Sequence, residues 1–146
     1  MGTPYDTDVV AWASEQAAFL RAGDFAALDL KHIAEEIEDV GKSERRELES
    51  RLAVLVAHLL KWKFQHNRSG SSWESTIRAQ RTKIGIVLEE SPSLRRIFDD
   101  EMRMNGVWHD AKSIAERETH LRALPDRWIW SIEEVLDETF FPEYEK

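Results

Sequence analysis

From Asp29 to Phe64 apolar residues recur in steps of mostly three and four: Leu30, Ile33, Ala34, Ile37, Val40, Leu48, Leu52, Leu55, Val56, Leu59 and Trp62. That spacing predicts one buried stripe along an amphipathic helix. At about 100° per residue, Leu30, Ile37, Leu48, Leu55 and Leu59 share a narrow arc, and Gly41 lies on it. The common bearing predicts a single helix running through Gly41. The competing pattern is punctuation. Gly41 past a helix end, with Ser43 as a new N-cap, would spell a stop and a restart. Glycine inside a helix costs about 1 kcal/mol relative to alanine, and close approach of another backbone can offset that. Unbroken, the helix spans about 50 Å at 1.5 Å per residue. It must then bend, overhang or pack against a second copy.

The rest of the chain reads as further helices. Asp6 or Asp8 caps a first one carrying Val9, Val10, Trp12, Ala13, Ala17 and Leu20, with Ala22-Gly23-Asp24 closing it. Residues before it read as a loose arm. Phe25 to Leu28 bridges to the long helix, which Asp29 caps. Gln65 to Ser72 reads as a loop. Ser71 or Ser72 caps the next helix, with Trp73, Ile77, Ile84, Val87 and Leu88 on its face. Ser91-Pro92 is a helix start, and one helix is expected from there through Leu94, Ile97, Met104, Trp108 and Ala115. Leu121 to Trp130 is irregular. Ser131 and Glu134 match a capping box for a last short helix. Phe140, Phe141 and Pro142 form an apolar clasp.

No strand alternation, internal repeat or low-complexity tract is present. The expected fold is all-α: a helical bundle of five or six helices around one long central helix (about 29–64), with no sheet. Residues 1–146 suit a single helical domain.

Composition narrows the chemistry. The net charge is −8 and there is no cysteine. Disulfides, thiolate metal sites and cysteine nucleophiles are excluded. The acidic balance disfavours non-specific binding to nucleic acid or anionic membrane. No apolar run approaches the ~18 residues needed to cross a bilayer, and Met1 to Asp8 lacks a signal-peptide pattern. Asp6 stands where a myristoylation motif needs Ser or Thr. A cytoplasmic protein is expected.

Several segments together carry a likeness. They are Glu35-Glu36-Ile37-Glu38-Asp39-Val40-Gly41, Ser43-Glu44-Arg45-Arg46 and Leu48-Glu49-Ser50-Arg51-Leu52, then His58-Leu59-Leu60-Lys61-Trp62 and Ser72-Trp73. Thr76-Ile77, Gln80-Arg81, Ser91-Pro92-Ser93-Leu94 and Val135-Leu136-Asp137 complete the set. From about Tyr5 onward the chain resembles the bacterial family known as domain of unknown function 29. The resemblance implies a small helical bacterial protein. It implies no activity and transfers no site residue.

The acids at Glu35, Glu36, Glu38 and Asp39 raise the question of a metal-dependent enzyme, with His32, Glu36 and His58 as candidate ligands. Spacing weighs against it. Glu36 and His58 lie about 33 Å apart on an unbroken helix. His32 and Glu36 share a face, but two ligands are too few. A solvated acidic face is the plainer account, and His58 reads as a boundary histidine bonded to a neighbour. No cofactor is implied, and the reading leans away from an enzyme.

The basic segment offers Arg68, Trp73, Arg78, Arg81 and Lys83 as a candidate binding surface for nucleic acid. Net charge counts against that use too, and the acid-rich remainder supplies internal partners. The six tryptophans read first as core and loop anchors, with Trp108, Trp128 and Trp130 the best placed of them to line a surface groove. The expectation that best covers the long stripe is an interaction module that self-associates as a homodimer, with Gly41 at the helix contact.

Overall fold

The computed structural model describes residues 2–65 and 72–145. Among them are five α-helices, two 3-10 segments and no strand. Helix α1 is Val9–Ala22, α2 is Leu30–Phe64, α3 is Ser72–Glu90, α4 is Glu101–Thr119 and α5 is Ile132–Leu136. The 3-10 segments are Phe25–Ala27 and Pro92–Asp99. The chain falls into two compact units, Met1–Ser43 and Glu44–Lys146, with the boundary inside α2.

Local chemistry sets most of the ends. Asp8 Oδ1 accepts from the backbone N–H groups of Val10 and Ala11, each at 3.1 Å, satisfying two donors that the helix itself leaves open. Gly23 ends α1 at φ 73°, a left-handed conformation that favours glycine. Asp29 Oδ1 accepts from His32 N at 3.3 Å at the start of α2. The Ser131–Glu134 capping box is formed in full.

Helix α2 runs unbroken through Gly41. Its stripe changes character along the way. Leu48, Leu52, Leu55, Val56, Leu59 and Leu60 are fully buried, whereas Leu30, Ile37 and Val40 remain 66–68% exposed. Apart from Gly41, its chain neighbours and the local backbone of α2, no atom of the described residues lies within 4 Å of where a Cβ on Gly41 would stand. The periodicity is continuous, but the partner elements that cover it are not.

In the first unit Trp12 and Gln16 of α1 are the buried side chains. The arm ahead of α1, expected to be loose, is fastened. Thr3 donates to Glu15 from its backbone N and its hydroxyl, at 2.6 and 2.9 Å. Tyr5 joins residues of α2, described below. Both attachments bridge positions too far apart in sequence for periodicity to register.

The second unit holds the main core. Leu48 to Leu60 of α2 packs with Ile77, Ile84 and Leu88 of α3, Val107, Trp108 and Ala111 of α4, and Val135 of α5. Each such large aliphatic contributes about 1.5–3 kcal/mol on burial. The single helix expected from Ser91 onward is two elements. Pro92–Asp99 is 3-10, and Asp100, extended at φ −92° and ψ 99°, begins α4 anew by accepting from Arg103 N at 3.1 Å. Ser91 makes no side-chain cap. Asn105-Gly106 leaves α4 uninterrupted.

Candidate functional site

In the first unit, polar and aromatic groups converge on Asp29. Its Oδ2 accepts from Trp12 Nε1 at 3.0 Å and from His32 Nδ1 at 2.6 Å. Its backbone N–H donates to Gln16 Oε1 at 2.8 Å. The His32 hydrogen bond is the first cause that holds the Asp29 carboxyl below the usual carboxylate range. Tyr5 lies flat on the His32 ring and edge-on to Trp12, with centroids 4.1 and 4.9 Å away. Its hydroxyl donates to Glu36 Oε1. That carboxylate disfavours tyrosinate and pushes Tyr5 up to about 12.

His32 and Glu36 are thus occupied in holding Tyr5. His58 lies in the second unit, with Nδ1 2.8 Å from the Val54 carbonyl. Burial pulls it below its ordinary value, so the imidazole is neutral at pH 7. Among the described residues no three His, Asp or Glu side chains are grouped so as to hold a metal ion.

Among the described residues of the basic segment, Arg81 does not face solvent. Arg68 lies outside the described residues. Arg81 is buried, with 5% exposure. Its Nε donates to the Val135 carbonyl at 2.9 Å and its Nη2 to the Phe140 carbonyl at 2.8 Å. It therefore pins α5 and the segment after it to α3. Arg78 is exposed but paired with Glu74 at 2.7 Å, and both guanidinium groups sit 5.4 Å from the Phe141 ring centroid. Trp73 is half-buried, with Lys61 Nζ 5.9 Å from its ring centroid. Lys61 is itself buried and paired with Glu118. Lys83 is exposed.

The tryptophans divide. Trp108 is buried and does not reach a surface; its Nε1 donates to the Pro125 carbonyl at 2.8 Å. Trp128 and Trp130 pack on it with centroids 5.1 and 5.8 Å away. Both line an open groove of about 310 Å³ together with Phe98, Asp99, Glu101 and Met104. The irregular backbone from Leu121 to Trp130 makes this possible, because no helical period forces both rings inward.

Sequence reasoning missed the Asp29-centred cluster and the two groove carboxylates. Asp29 was legible as a cap and Trp12 as apolar, but nothing in their spacing announced Tyr5 between them and Glu36.

Fold and side-chain arrangement define a small all-α protein whose internal polar clusters fasten segments together. Its sequence places it further: the model of the family described as domain of unknown function DUF29 matches residues 4–141, and the chain belongs to that family. No curated protein and no solved structure matches the chain significantly. None of the described helices is long and apolar enough to cross a membrane.

Proposed function

We propose that this protein is a non-enzymatic helical interaction module that self-associates through the first part of α2. The observation that carries the reading is the two-thirds exposure of Leu30, Ile37 and Val40 on an intact helix. With half-buried Ile33 they are spaced 3-4-3, the heptad seam of paired helices. Ala34 and Gly41 flank the seam, and both are small. The open space above Gly41 leaves room for another backbone. Glu35 and Asp39 fall on the far side of the helix, and Glu38 well to one side of the seam. Glu36 is engaged by Tyr5. The acidic run therefore does not oppose pairing of like chains across the seam.

Magnitudes set the strength. Covering each exposed seam residue contributes about 1–2 kcal/mol. Six of them in a symmetric pair are comparable with the roughly 4–15 kcal/mol lost on association. The pair should therefore be reversible. The same reading takes the protein to be bacterial, in keeping with the family it belongs to. Light scattering across a concentration series tests the reading. The average mass should rise from 17.0 kDa towards twice that value. A constant monomer up to about 1 mM chain would overturn it.

A further inference from the structure

The groove beside the start of α4 is lined by residues of the second unit alone, whereas the seam residues of α2 belong to the first. Three features give it a definite chemistry. Its walls are aromatic and apolar: Trp128, Trp130, Phe98 and Met104. Its carboxylates, Asp99 and Glu101, are exposed, and among the described residues neither is in an ion pair. Its rings are fixed before any ligand arrives. Trp128 Nε1 donates to the Met104 carbonyl at 2.7 Å, and Trp130 makes edge-type ring contacts with Trp108 at 5.8 Å and Phe140 at 6.1 Å.

Indole faces attract cations through their quadrupole, and flanking carboxylates add charge complementarity. Fixed rings lose little entropy on binding. The neighbouring acid Asp100 is already committed, capping α4 and pairing with Arg103 at 3.4 Å. That leaves Asp99 and Glu101 for an external cation. An acidic peptide or a nucleic-acid backbone would meet like charge at the same place.

We infer that this groove docks a basic, amphipathic peptide segment of a partner protein, an Arg or Lys side chain lying over Trp128 or Trp130 with an apolar neighbour against Phe98 and Met104. The site does not depend on self-association, so either conclusion can fail alone.

The test is fluorescence anisotropy of labelled peptides titrated with the full chain. The probes are an Arg/Leu peptide, an Arg/Ser peptide of equal charge and a Glu/Leu peptide. The Arg/Leu peptide should bind saturably, the Arg/Ser peptide more weakly and the Glu/Leu peptide not at all. Removing the groove charges with Asp99→Asn and Glu101→Gln should weaken Arg/Leu binding by roughly tenfold or more. Glu89→Gln with Glu90→Gln removes equal charge from the exposed end of α3 and should leave binding unchanged. Equal weakening by both pairs of substitutions would reduce the effect to the overall negative charge and overturn the inference. So would equal binding of the Arg/Leu and Arg/Ser peptides, or no binding of the Arg/Leu peptide.

Discussion

The Tyr5 ring lies 10° from parallel with the His32 imidazole, at a centroid distance of 4.1 Å, while its hydroxyl reaches Glu36 one turn further along α2. One residue of the N-terminal arm is thereby clamped by two residues four apart on one helix face. The hydroxyl is the part that titrates. Spectrophotometric titration should show one of the two tyrosines ionising only near pH 12. Tyr5→Phe should delete that late step. Glu36→Gln should move it back towards about 10, the ordinary tyrosine value. A late step that survives Glu36→Gln would contradict the assignment of the carboxylate as its main cause.

Asp29 gives the cluster a dependence on acid. Its carboxyl is held low, chiefly by the hydrogen bond from His32. A carboxylate depressed in the folded state adds stability above its unfolded value, near pH 4, and loses it as pH falls through the folded value. Asp29→Asn keeps a competent N-cap, removes the charge and replaces the oxygen that accepts from Trp12 Nε1 and His32 Nδ1 with an amide donor. The variant should melt below wild type at about pH 7, with the gap closing as pH drops below about 4. A gap that stays constant to about pH 3 would show that the charge contributes nothing.

Arg81 tests how the second unit holds its final described residues. Arg81→Met leaves the Val135 and Phe140 carbonyls without their donor. One buried and one partly buried acceptor left unpaired cost on the order of 1–3 kcal/mol, read as a lower denaturant midpoint. Arg81→Lys should recover little, because one ammonium cannot reproduce the guanidinium fork. Wild-type unfolding of Arg81→Met would contradict the pinning role.

The sequence carried the helices because helix signals are local. Asp8, Gly23, Asp29 and the Ser131–Glu134 pair each act within one turn, and each lies where its pattern said. The continuity of α2 past Gly41 was legible from the bearing of its apolar residues. What that bearing could not carry is burial, since Ile37 and Leu55 share an arc while only Leu55 is covered. The restart at Asp100 was hidden because Leu94, Ile97 and Met104 keep a helical spacing across it. Arg81 read as surface because it is charged, and its acceptors are carbonyls more than fifty residues away. Trp128 and Trp130 were legible as groove residues from their irregular setting, whereas Trp108 sits on a regular helix face and is buried.

The most direct measurement of the central claim is sedimentation equilibrium of wild type beside Ile37→Glu. Ile37 is 68% exposed in the single chain, so a charge there leaves folding stability nearly unchanged. In a seam between two chains the same charge would be buried without a partner. Pairing through this seam predicts a reversible dimer of 17.0 kDa chains for wild type and a monomer of unchanged helicity for the variant. A variant that associates as strongly as wild type would contradict it.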